Sequence, residues 1–145
     1  MWNHRRNSLL IATCILLFGC TSSDKKGTKK VSGNVVTPDI SVVVKVNNEK
    51  NEEYSAALAD LYKERKFNAV VGDSSAGTFV TGDLSEEDNR VKLILRIFKG
   101  NNKKPCGNYI YETIVNGDVP ERNIEQGFKN LLNNIKANPR TPVCL

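Results

Sequence analysis

The sequence predicts an α+β domain: a two-layer sandwich in which two helices cover one face of a mostly antiparallel five-stranded sheet, in the order β-α-β-β-β-β-α. Three observations carry this expectation. Between residues 40 and 115, short runs place apolar side chains at every second position, the period of half-buried strands. Two longer stretches, around residues 52–66 and 120–136, space them instead as one helical face. Clusters of Gly, Asn, Asp and Ser separate the strand-like runs at hairpin distances.

Residues 40–46 form the first predicted strand. Ile40, Val42, Val44 and Val46 line one face and Val43 adds apolar surface to the other, which suits a central position. The helix predicted over 52–66 turns Tyr54, Ala57, Leu58, Leu61 and Tyr62 to one side. Asn51 is placed to cap it, Glu52 and Glu53 sit at its positive end, and Lys63, Arg65 and Lys66 sit at its negative end. Strands follow over 67–71, 78–84, 91–98 and 108–115, with polar turns at 72–77, 85–89 and 100–105. In the last of them Tyr109 and Tyr111 alternate with Ile110 and Ile114, so either set suits a core.

Asn116-Gly117 ends the meander, and Asp118 with Glu121 makes a capping-box pattern over a final helix that carries Pro120 in its first turn. Ile124, Phe128, Leu131, Leu132 and Ile135 form its apolar face. Gly127 lies on that same face, where glycine costs about 1 kcal/mol against alanine; the expected return is a close approach of helix to sheet. Both helices need the same sheet face. The other face is left to water or a partner, with Lys92, Arg96, Tyr109, Tyr111 and Phe79 as candidates for it.

Ahead of this domain, taken as residues 35–145, the chain reads as an address. Arg5 and Arg6 precede an apolar run of roughly ten residues that stops at Phe18, the layout of a secretory leader over residues 1–19. A membrane-spanning helix needs about 20 such residues. Asn7 and Ser8 lack the apolar residue that a twin-arginine leader favours after its pair. Leu17-Phe18-Gly19-Cys20 resembles the lipobox of bacterial lipoproteins. That resemblance implies cleavage before Cys20, which then carries a thioether-linked diacylglycerol and an N-acyl chain such as palmitate; multiple chains give stable anchoring. Thr21, rather than Asp, resembles the pattern of lipoproteins sent to the outer membrane, on its periplasmic side. The alternative is an ordinary cleaved leader with a chance cysteine at its end.

Residues 20–34 are Ser, Thr, Lys and Gly with scarcely an apolar side chain, and read as a flexible tether. The formal net charge of +5 resides entirely in the leader and tether: from residue 34 onward 15 Lys and Arg balance 15 Asp and Glu. A neutral domain lacks the footprint of a nucleic-acid binder, whereas the tether lysines suit anionic headgroups. Cys14 leaves with the leader and Cys20 takes lipid, so Cys106 and Cys144 remain as a pair for a disulfide in an oxidising compartment. Free thiols or a metal site are the other options, although two cysteines without histidine are a poor zinc set.

The chemistry the chain lacks narrows its function. Its one histidine, His4, lies in the leader, so no Ser-His or Cys-His pair is expected. No P-loop, Rossmann fingerprint or G-x-S-x-G is present. The acidic stretch 83–88 lacks the spacing of an EF-hand. Asp73, Asp83 and Glu112 are the acids from which a glycosidase pair could be drawn. The run YSAALADLYKERKFNAVVGDSSAGTFVTGDL, from Tyr54 to Leu84, loosely resembles small envelope-assembly lipoproteins: the lipopolysaccharide-transport plug, the curli-secretion lipoprotein and the activators of peptidoglycan synthases. The expectation is a non-catalytic accessory of the cell envelope, with no cofactor, metal or nucleic acid, bound to the membrane by lipid and to an envelope protein. A small inhibitor or immunity protein against a cell-wall enzyme or toxin is the alternative, and a carboxylate-dependent hydrolase the third.

Overall fold

The computed structural model describes residues 36–144. Leu17, Phe18, Gly19 and Cys20, with the rest of the leader and tether, lie outside the described residues. The elements are β1 (Ile40–Val46), β2 (Glu49–Asn51), α1 (Glu52–Glu64), β3 (Ala69–Val71), β4 (Thr78–Glu87), β5 (Arg90–Lys99), β6 (Gly107–Ile114) and α2 (Pro120–Ala137). The class is α+β, as the alternating strands and amphipathic helices require.

The sheet has six strands in the order β2-β1-β4-β5-β6, with β3 also on β1. As expected it is mostly antiparallel, but it has six strands rather than five and is mixed, because α1 carries the chain back to where β1 began, so that β3 and β4 run with β1. β1 is parallel to β4 over Ile40–Val46 and to β3 over Ile40–Val42. β4, β5 and β6 are an antiparallel meander. β2 holds the remaining part of β1's outer edge, antiparallel at residues 44–46. This sixth strand is three polar residues with no apolar alternation. It exists because Asn47 and Asn48 both take positive φ, 51° and 68°, and so close a two-residue hairpin turn.

The same device shortens the second hairpin. The expected turn over 85–89 is only Asp88-Asn89, with φ of 51° and 59°, and β4 continues to Glu87. At the start of α1, Asn51 Oδ1 accepts from the amides of Glu53 and Tyr54 at 3.1 and 3.3 Å. Ser55 links helix to sheet: its hydroxyl donates to Asn51 O (2.6 Å) and accepts from Val44 N (2.8 Å). The helix stops at Glu64 rather than 66, since Lys66 adopts φ 71°. No capping box forms on α2. Val119 is its N-cap, with no side-chain cap bond, and Pro120 begins the helix. The polar bonding there comes from buried Asn123, whose amide donates to Gly117 O (3.0 Å) and Asn89 Oδ1 (3.2 Å).

Both helices lie on one face. Ile40, Val42, Val44, Val80, Leu84, Val91, Leu93, Leu95 and Ile97 meet Leu58, Leu61, Tyr62, Phe128, Leu131 and Ile135 in a single core. Gly127 is where α2 comes nearest: a Cβ there would lie 2.5 Å from Val91 Cβ and Cγ2. The chain after α2 is fastened underneath. Tyr62 Oη donates to Pro142 O and Tyr109 Oη to Val143 O, each at 2.6 Å. The Arg65 guanidinium donates to the carbonyls of Ile135, Lys136, Asn138 and Pro139 and to Thr141 Oγ1. Cys106 and Cys144 are joined as a disulfide, Cα–Cα 5.1 Å.

Gly127→Ala should lower the urea unfolding midpoint: overpacking costs about 1–3 kcal/mol, against a gain of about 1 kcal/mol in helix propensity. An unchanged or higher midpoint would show that α2 can lift off β5 freely. A second expectation concerns Tyr62. Burial, with smaller contributions from Tyr111 and Tyr109, holds its phenol well above the usual tyrosine range. A folded-state pKa above the unfolded value gives stability that is complete below about pH 10 and is lost as pH rises beyond it. Thermal midpoints should therefore drop above about pH 10, and less steeply in Tyr62→Phe; equal slopes would remove Tyr62 from the alkaline transition.

Candidate functional site

Strand alternation sets the composition of the uncovered face. Since Val91, Leu93, Leu95 and Ile97 point into the core, Lys92, Ile94, Arg96 and Phe98 point away from it. β4 adds Phe79, Thr81 and Asp83, β1 adds Val43 and Lys45, and β6 adds Ile110, Glu112 and Ile114. Among the described residues no helix lies over this side. The register sets Phe79 against Phe98, Ile94 against Ile110 and Lys92 against Glu112. Ile110 is 57% and Ile114 69% exposed, values high for isoleucine in a sheet.

Between the apolar residues lie ion pairs: Arg96 with Asp83, Lys92 Nζ to Glu112 Oε1 at 3.2 Å, and Arg90 Nη1 to Glu112 Oε2 at 3.6 Å. Exposed pairs of this kind contribute about 0–1 kcal/mol each. Their effect is to hold polar groups between apolar patches so that the surface stays soluble. Among the described residues β6 is the last strand of the sheet and pairs only with β5, so its outer backbone edge borders the same surface.

Lys92, Arg96 and Phe79 are on the open face, but Tyr109 and Tyr111 are not. The register of β6 puts them opposite Leu95 and Leu93, toward the helices, where burial raises the Tyr111 phenol above its ordinary range. Alternation within β6 alone could not decide this. The unbroken apolar run of Val91, Leu93, Leu95 and Ile97 could, once each β6 residue is matched to its β5 neighbour; Ile94, Phe98, Ile110 and Ile114 then follow as the outward apolar set.

The three carboxylates considered for hydrolysis are not brought together. Asp73 is in the loop between β3 and β4, where the amide and hydroxyl of Ser75 both donate to Oδ1 at 2.7 Å; these bonds hold its carboxyl below the usual range, the opposite of a general acid. Asp83 and Glu112 share the open face but stand on β4 and β6 with β5 between them, each beside its own cation. Residues 83–88 form strand and turn rather than a cation loop, with Glu86 Oε1 accepting from Asn89 N at 3.0 Å. Among the described residues no group of three His, Cys, Asp or Glu could hold a metal. A cleft of about 450 Å³ between the end of β6 and the first turns of α2 is lined by the amides Asn116, Asn123, Gln126 and Asn130, by Asp118 and Arg122, and by apolar Ile114, Val115 and Val119.

The neutral total conceals a separation of charge along the strands. β1, β4 and β6 begin, and β5, α1 and α2 finish, at one end of the domain. That end carries Lys63, Arg65, Lys66, Lys99, Lys103, Lys104, Lys136 and Arg140 against Asp39, Asp60, Glu64 and Asp73. The opposite half carries Glu49, Glu52, Glu53, Asp83, Glu86, Glu87, Asp88, Glu112, Asp118 and Glu121 against Lys45, Lys50, Arg90, Lys92 and Arg122. Adding charges over the whole domain removes this pattern, and only the topology restores it.

No family model matches the sequence, and no curated protein matches it. Among solved structures, the chain is similar to the crystal structure of protein XCC0632 from Xanthomonas campestris, of family model DUF330. The likeness has a TM-score of 0.41 at 8% identity and covers 71% of this chain and 84% of that one.

Proposed function

We propose that this protein is a lipid-anchored, non-catalytic accessory of the bacterial envelope, held by Cys20 to the periplasmic side of the outer membrane and using its open sheet face to bind an envelope protein. The observation that carries the binding role is the uncovered isoleucine pair, Ile110 and Ile114, on an edge strand. Large apolar side chains left exposed on a strand face, here to either side of Glu112 and its cations, can serve as anchors of an interaction site, and a sheet edge with no strand on it among the described residues offers backbone groups to an extended segment. The anchor rests on the resemblance of Leu17-Phe18-Gly19-Cys20 to a lipobox. The absence of a catalytic role is supported by carboxylates that are separated and individually engaged. Docking through such a face needs no conformational change in the sandwich.

Two measurements test the two parts. Intact-mass spectrometry of membrane-extracted protein should give a chain beginning at acylated Cys20 that gains about two mass units on reduction as the disulfide opens; an unacylated chain overturns the anchor. Co-purification from detergent-solubilised envelopes should recover a defined partner with the native chain and at least about tenfold less with Ile110→Glu/Ile114→Glu, an interface loss of roughly 1.4 kcal/mol or more. Both positions are exposed, so the thermal midpoint should move little. Equal recovery with both chains would overturn the sheet-face assignment.

A further inference from the structure

We propose that the basic end of the domain is a membrane-docking surface for anionic phospholipid headgroups, so that the domain stands on the bilayer with its strands upright. This rests on the anchoring reading above, and three observations argue for it.

The first is the sign and the availability of the charge. Eight basic residues face four acidic ones at this end, and they are not all in structural use. Arg65 is consumed by the last carbonyls of α2. Lys63 and Lys136 pair with Asp60 and Glu64. Lys66, Lys99, Lys103, Lys104 and Arg140 make no ion pair among the described residues. Of the sheet-face cations, Arg90, Lys92 and Arg96 each have a carboxylate, and Lys45 has none among the described residues. An end whose cations are spare is complementary to an anionic surface, and the acidic opposite end is repelled by it.

The second observation is where the chain comes in. The amide of Asp39 donates to Asn68 O and the Asn68 side chain to Thr37 O, which puts the start of the described chain at this same end. The tether residues precede it in sequence, with Lys25, Lys26, Lys29 and Lys30. An anchor at Cys20 therefore pulls the basic end, and not the acidic one, toward the bilayer.

The third is the surface between the cations. Val36, 76% exposed, leads into this end, and a cleft of about 330 Å³ opens there among Ile40, Phe67 and Val143, with Lys99 on its rim. Lys99 beside the partly exposed Phe67 and Val143, with Asp39 also in the cleft and Val36 exposed next to it, suits a lipid interface, where headgroup charge and acyl surface lie within one side-chain length. Docked this way, the open sheet face is perpendicular to the membrane and clear of it.

The test is per-lysine acetylation, read by mass spectrometry, of the full chain reconstituted into phosphatidylcholine vesicles with or without roughly a third phosphatidylglycerol. On the anionic vesicles Lys99, Lys103 and Lys104 should react about fivefold more slowly, Lys50, on the edge strand about half-way along the sheet, should be unchanged, and raising salt to about 0.5 M should abolish the difference. Lys99→Gln/Lys103→Gln/Lys104→Gln, all exposed positions, should also lose the protection of Lys66. Equal rates on both vesicles, or equal slowing of Lys50, overturn the proposal. Intact mass of the same samples separates the two readings: acylated but evenly labelled protein keeps the anchor and removes the docking surface, whereas protected but unacylated protein does the reverse.

Discussion

The return of the chain through α1 is the constraint on which the rest of this domain depends. Because α1 carries the chain from the far end of β1 back to its start, the next strands must run parallel to β1, and the meander then delivers α2 with the same direction as α1. Both helix dipoles consequently point the same way. Two aligned dipoles side by side are unfavourable unless charges complement their ends. Here Glu52, Glu53 and Glu121 occupy the first turns, Lys63 and Lys136 the last, and the Arg65 guanidinium binds the final carbonyls of α2. Local rules of helix termination, applied twice in the same direction, build a charge separation across the whole domain.

The same constraint divides the sheet into two unlike faces. One side receives both helices, and Gly127 lets α2 descend until only the absence of a side chain separates it from Val91. Among the described residues the other side receives no helix, yet it is not a plain solvated surface. Its apolar residues are grouped across strands, Phe79 with Phe98 and Ile94 with Ile110, and its charged residues are tied to one another between these groups. Paired charges hold water less strongly than bare ones would, so the apolar patches remain usable while the face stays soluble.

Much of this was legible in the residues, for identifiable reasons. β1 and α1 carry several independent signals: alternation in Ile40–Val46, and cap, end charges and apolar face in the helix. Gly127 was conspicuous because a glycine on an apolar helical face has few purposes. What escaped was information held between elements rather than within them. β2 has no pattern of its own and is created by the Asn47-Asn48 turn. The orientation of Tyr109 and Tyr111 is a matter of register with β5. The α2 cap moved from Asp118 to Val119 because Pro120 already supplies a helical φ and has no amide to satisfy, while Asn123 ties down the loop. A summed charge of zero hides the cluster of Lys66, Lys99, Lys103, Lys104 and Arg140, which only the strand topology brings to one end.

The parallel pairing of β1 with β4 also has a mechanical side. A pull on the chain ahead of Val36 enters the domain at Ile40 and runs along the axis of β1, so it loads the ladder with β4 in shear, all rungs sharing the force, rather than peeling them one by one. The Cys106–Cys144 bond and the Tyr62 and Tyr109 hydroxyls fix the tail at that same end, beside the point of loading. A leash attached to the outermost strand would unzip it. An anchor at Cys20, as proposed above, would instead pull on an interior strand, and the parallel ladder would resist that traction.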